Sequence, residues 1–118
     1  MIEDALNDIY EELGSGHREC VYHKALEYEL RTRGIPYECE VVVPLLYKGS
    51  FLSHMRLDLV VDKTTIVELK ATRSLKEDDS AQISRYMKTT GMQNGILVNF
   101  GAYELEVKHF TPKVYSVC

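Results

Sequence analysis

The chain has 118 residues, 45% apolar and 27% charged, which suits one globular domain over residues 1–118 and is too short for two cores. A net charge of −4 and the lack of any apolar run of membrane-spanning length argue against a strongly basic footprint and against a membrane partner. The acidic, amphipathic start "MIEDALNDIYEE" is unlike a signal or transit peptide. Cys20, Cys39 and Cys118 are widely spaced, with no CxxC pair, as expected of reduced thiols in a cytoplasmic setting.

Ile2, Ala5, Leu6, Ile9 and Leu13 recur at helical spacing, predicting a helix over 2–13 that Gly14 stops. Ser15 is placed to cap a second helix from 16 or 17 to 33, closed by Gly34. Tyr22, Leu26 and Leu30 form its apolar stripe, and Glu19 falls on that stripe by spacing. "YECEVVVPLLY" over 37–47 reads as a strand whose Pro44 implies a bulge or an edge position. After a turn at 48–50, residues 51–61 and 65–71 form two more strands. "SLKEDDSAQISRYMKTTG" predicts a helix over 76–90, acidic at its start where the dipole favours it, and ended by Gly91. "GILVNF" at 95–100 is apolar throughout, as in a strand buried on both faces. Residues 105–110 form a last strand. The order α-α-β-β-β-α-β-β predicts an α/β fold with a mixed β-sheet flanked by helices.

The central hairpin, "RLDLVVDKTTIVELKA" over 56–71, carries Asp58, Glu68 and Lys70 inside its apolar runs. Alternation puts His54, Arg56 and Asp58 on one face of one strand, and Ile66, Glu68 and Lys70 on one face of the next. A two-residue turn at 62–63 separates the two acids. A three-residue turn at 62–64 pairs 61 with 65 and sets Asp58 beside Glu68. Two carboxylates that close repel unless a cation sits between them, and hard oxygen ligands suit Mg²⁺ or Mn²⁺. Lys70 would then face a developing negative charge, which is the chemistry of metal-assisted phosphodiester hydrolysis. From spacing alone, D-x₉-E-x-K fits a solvated ion-pair face more often than a metal site. Glu19 and Gln82 shift that balance. A glutamate on an apolar stripe needs a partner, whereas one near the helix N-terminus is stabilised by the dipole and capping; spacing allows both for Glu19. Gln82, four residues before Tyr86, borders a core face.

"GHRECVY" at 16–22 matches G-x-x-E-x-x-Y. Together with "RLDLVVD", "IVELKA" and "AQISRYMKTTG…GILVNFG", it resembles the GxxExxY protein family of the PD-(D/E)XK nuclease-like superfamily, over about residues 3–110. The resemblance implies a restriction-endonuclease-like core with a metal site on the central hairpin. It implies Asp58, Glu68 and the Leu69 carbonyl as metal ligands, Lys70 as the catalytic lysine and Glu19 completing the acidic cluster directly or through water. Gln82 and Tyr86 match a glutamine–tyrosine helix motif near the site, and Tyr22 is expected to pack and orient its helix. The activity implied is Mg²⁺- or Mn²⁺-dependent cleavage of nucleic acid, DNA in the first instance, in repair, recombination or defence. The alternative is a non-catalytic assembly module that keeps the fold. A homodimer or larger complex is expected to join two weakly basic faces, with Tyr103, Phe110 and Tyr115 as contact points on the C-terminal strand. His17, His23 and His109 show no ligand spacing.

Overall fold

A computed structural model describes residues 2–111, so Tyr115 and Cys118 lie outside the described residues. The elements run α1 (Ile2–Leu13), α2 (Glu19–Thr32), β1 (Tyr37–Tyr47), β2 (Ser50–Val61), β3 (Thr65–Lys70), α3 (Glu77–Thr90), β4 (Asn94–Asn99) and β5 (Glu106–Phe110). This is the expected order, with half of the ends unchanged and the rest shifted by one residue, apart from the start of α2. One sheet holds all five strands in the order β1-β2-β3-β4-β5. Only β3 and β4 run parallel, because α3 crosses between them; the other neighbours are antiparallel. The fold is thus a mixed α/β sheet flanked by helices.

Two apolar layers cover the sheet. Leu6 and Ile9 of α1 and Tyr22, Leu26 and Leu30 of α2 pack on Leu59, Val61, Val67, Leu69 and Val98. Ile83, Tyr86 and Met87 of α3 pack on Leu57, Val60, Ile66 and Leu97. β3 and β4 therefore contribute to both layers and carry near-continuous apolar runs, as a strand buried on both faces must.

Strict alternation fails along β2. Leu59 and Val61 belong to the α1–α2 layer, whereas Leu57 belongs to the α3 layer with Val60. A change of face therefore lies near Asp58. Across from it, Glu40 takes a left-handed backbone with φ 51, and the β1–β2 pairing steps from Cys39↔Leu59 to Val41↔Leu57. Beyond that point β1 and β2 continue as a two-stranded ribbon out to Tyr47↔Ser50, with a bulge between Leu45 and Leu46. Pro44 sits on this edge strand, as its missing N–H requires.

The start of α2 departs from expectation. Ser15 does not cap it; the helix begins at Glu19, with Arg18 as N-cap. Gly14 and Gly16 have φ 65 and 106, values that keep residues 14–18 out of the helix. Tyr22 holds this loop. Its hydroxyl accepts the His17 N–H at 3.2 Å and donates to the Gly14 carbonyl at 2.6 Å, while its ring stacks on Phe100 with centroids 4.5 Å apart.

Candidate functional site

The turn decides the hairpin register. Asp62 and Lys63 both take positive φ (53 and 59), and the Thr64 N–H donates to the Val61 carbonyl at 3.1 Å. Val61 then pairs with Thr65, the three-residue alternative, and pairing continues to Leu59↔Val67. There the backbone ladder stops and the acids take over. The Asp58 N–H donates to Glu68 Oε1 at 3.1 Å, and the Leu69 N–H donates to Asp58 Oδ2 at 2.9 Å. In an antiparallel ladder one residue presents its N–H and C=O to the same neighbour. The Leu69 carbonyl therefore faces the same gap.

Glu68 is only 4% exposed. Burial first, and the Asp58 charge second, push its carboxyl up to about 8, against the lowering pull of the Asp58 N–H. Two carboxylates share a site that disfavours charging both.

On the α3 side a chain of polar groups leads away from the acids. Lys70 Nζ donates to Gln82 Oε1 at 3.4 Å and lies 3.8 Å from Asp79 Oδ1. Gln82 Nε2 donates to the Tyr86 hydroxyl at 2.9 Å. Burial, then Glu68 and Asp58, raise the Tyr86 phenol above its ordinary value. The other Asp79 oxygen accepts the Lys76 N–H at 2.9 Å and closes the first turn of α3. Behind Lys70, the buried Asn99 amide binds both the N–H and the C=O of Thr72 at 2.9 Å and fixes the exit of β3.

On the α2 side a cleft of about 440 Å³ opens over Asp58, bordered by Glu19, His23, Glu27 and Cys39. Glu19 is not on the buried stripe that its spacing predicts, because the helix starts at Glu19 itself, and the residue is exposed. Protein packed around its carboxyl still desolvates it, and this, followed by the Asp58 charge, raises its pKa. Cys20 and Cys39 are free thiols, and burial followed by Glu27 raises the Cys39 thiol.

The structure thus brings Asp58, Glu68 and Leu69 together at the gap. Lys70, Gln82 and Tyr86 line one side, with Glu19 at the mouth of the other. His54 stays on the exposed ribbon. Sequence reasoning passed over two residues here. His23 lies at hydrogen-bonding distance from the Asp58 carbonyl (Nε2, 3.3 Å) and from Glu27 Oε2 (Nδ1, 3.0 Å); the four-residue spacing Glu19–His23–Glu27 was the available signal. Asp79 looked like dipole compensation alone, and its approach to Lys70 needed the packing of α3 on β3.

Among the described residues, no group of three or more His, Cys, Asp or Glu side chains is arranged to hold one metal ion. The gap nevertheless offers two carboxylates and a backbone carbonyl, all hard oxygens. Mg²⁺ commonly takes one or two carboxylates and keeps several waters, so the donor set fits such an ion. A cation would also relieve the repulsion that holds a proton on Glu68.

A family model described as the PD-(D/E)XK nuclease superfamily matches residues 1–110. The crystal structure of SSO0001 superposes with a TM-score of 0.62 at 22% identity, covering 80% of this chain. The match takes in 50% of that protein, so this chain spans about half the length of the solved structure it resembles. No curated protein matches. Among the described residues no helix is long and apolar enough to cross a membrane.

Proposed function

Because the chain belongs to the PD-(D/E)XK nuclease superfamily, we propose that it is a Mg²⁺- or Mn²⁺-dependent nuclease that hydrolyses phosphodiester bonds of DNA. The observation that carries this reading is the meeting of Asp58 and Glu68 where the hairpin ladder parts, with Lys70 two residues further on. Asp58, Glu68 and the Leu69 carbonyl would hold the ion, with Glu19 completing the acidic cluster directly or through water. Once bound, the ion supplies a Lewis acid for the phosphoryl oxygen and lowers the pKa of a bound water. Lys70 places its ammonium where charge develops on the phosphate. Gln82 and Asp79 aim that ammonium, and Tyr86 holds Gln82 in turn. Tyr22 and Gly16 shape the loop that delivers Glu19, which supports membership of the GxxExxY group. Residues 1–118 form one catalytic domain, working in the cytoplasm in repair, recombination or defence.

A second reading, a non-catalytic assembly module, draws support from the net charge of −4 and from a Glu68 that holds its proton into the neutral range. Incubating the protein with duplex, single-stranded and branched DNA and with RNA, in Mg²⁺ and in Mn²⁺, separates the two. Cleavage by the parent that disappears in Lys70→Ala supports the nuclease. No cleavage of any substrate supports the module.

A further inference from the structure

The outer half of the β1–β2 ribbon is covered by neither helix layer and carries an apolar surface. Val42, Leu46, Tyr47, Phe51 and Leu52 are each 54–64% exposed, and Leu45 is 37% exposed. A two-stranded hairpin with nothing packed on it is marginal in water. Alternation divides them between the two faces of the ribbon: Val42, Leu46 and the Leu46 partner Phe51 share one face, and Leu45 and Tyr47 the other. At roughly 200 Å² for a fully exposed large side chain, the first group presents about 350 Å² per copy, within the range of the largest apolar patch on a monomer.

We propose that this ribbon is the interface between two copies of this chain, lying antiparallel across a two-fold axis near Pro44. Area is the first support. Two copies bury about 700 Å² of apolar surface across this one face, which at the roughly 57% apolar share of a typical interface corresponds to about 1,200 Å² in all, above the roughly 1,000 Å² that a specific interface needs. Charge is the second. The base of β1 is acidic, with Glu38 and Glu40, and the tip is basic, with Lys48. An axis through position 44 sets residue 48 of one copy opposite residue 40 of the other, so the ribbon complements itself. Lys48 rests 5.3 Å above the Tyr47 ring, and Glu40 makes an exposed pair with Arg56 at 3.5 Å; exposed contacts of this kind exchange at little cost. Pro44 and the Leu45/Leu46 bulge interrupt the outer edge of β1. They block a continuous edge-to-edge sheet and leave the apolar surface as the contact. Glu40 also borders the cleft beside Asp58, so the tip of one copy comes to lie near the cleft of the other. The edge strand β5 is a poorer candidate, with five residues and Phe110 partly covered by the α3 layer.

Light scattering and sedimentation over a concentration series test this, with circular dichroism to confirm the fold of each variant. The parent is expected to dimerise reversibly, and Phe51→Asp to be a folded monomer. Lys48→Glu and Glu40→Lys each weaken the dimer by roughly tenfold, since symmetry counts each exposed pair twice, and the double exchange recovers most of the loss. A parent that stays monomeric, or a dimer indifferent to Phe51→Asp, overturns the proposal. So does a monomer whose ribbon amides are protected from hydrogen exchange by single-stranded DNA, because the tip would then be a base-stacking surface. None of these readouts depends on cleavage, so the nuclease reading stands or falls separately.

Discussion

Asp58 and Glu68 each complete the other's strand: Asp58 accepts the Leu69 N–H and Glu68 accepts the Asp58 N–H. The hairpin opens beyond Leu59↔Val67 without leaving those two donors unpaired, because the acids supply the missing acceptors. Both are therefore fixed in place before any ligand arrives. The cost is electrostatic. Two carboxylates face one gap, and the buried one answers by keeping its proton to about pH 8. A divalent cation bound there would replace that proton, so the geometry that serves folding without metal would also serve the proposed coordination.

Stability without metal should fall as pH rises from about 5 to 8. Glu68 titrates at 4.5 as an unperturbed group and at about 8 in the fold. Between those values the folded state binds the extra proton, so each step upward in pH favours the unfolded chain. One such group contributes at most about 1.4 kcal/mol per pH unit. Glu68→Gln keeps an acceptor for the Asp58 N–H and should flatten the dependence. Urea midpoints at three pH values measure it. A parent that gains stability across this window, with Glu68→Gln unchanged from it, contradicts the assignment.

Mg²⁺ or Mn²⁺ should raise the melting temperature, and more so at pH 8 than at pH 6, because binding must displace the Glu68 proton. Saturation to 100 times Kd adds about 2.7 kcal/mol. Asp58→Asn should lose most of that gain. Calorimetry in two buffers of different ionisation enthalpy would detect the released proton. Unchanged melting in millimolar metal counts against a metal site.

The parts of the fold written in short-range patterns were legible. Apolar periodicity placed α1, and Gly91 marked the end of α3, where it takes φ 75 and its N–H bonds the Met87 carbonyl. The hairpin register was legible only as a choice, because turn length depends on whether Asp62 and Lys63 accept positive φ, which neither residue type dictates. The face change near Asp58 was not legible, since strict alternation is the only rule a strand sequence offers. Glu19 was legible only as a choice between the apolar stripe and the helix N-terminus, and it takes the N-terminus: Ser15 looks like a cap, whereas the two glycines beside it take conformations that exclude a helix. Asp79 and His23 reach the site through tertiary packing of α3 and α2.

Tyr22→Phe isolates the loop that delivers Glu19. The ring stack on Phe100, 4° from parallel, survives the change, while the hydroxyl's bonds to Gly14 and His17 are lost. Leaving those backbone groups short of a partner should cost about 1–3 kcal/mol. Amide exchange over residues 14–18 should quicken more than exchange in the sheet. Parental stability together with parental exchange would show that the hydroxyl does not hold the loop.

Lys70 and its two neighbours on α3 make the sharpest division between chemistry and support. Lys70→Ala removes the only charge on the chain Lys70–Gln82–Tyr86 and should lower the turnover of whichever nucleic acid the parent cleaves by about 10²–10³, the scale of one electrostatic donor to a transition state. Gln82→Ala leaves the ammonium in place but loosens one of its two contacts, so about tenfold is expected, in kcat and not in KM. Asp79→Asn keeps an oxygen for the Lys76 N–H and should spare stability, whereas Asp79→Ala should also cost about 1 kcal/mol through the lost cap. Single-turnover cleavage beside urea unfolding reads both effects on the same set of proteins. If Lys70→Ala cuts at the parental rate, the lysine has no part in the chemistry, and the polar chain on α3 is a structural feature of the sheet face.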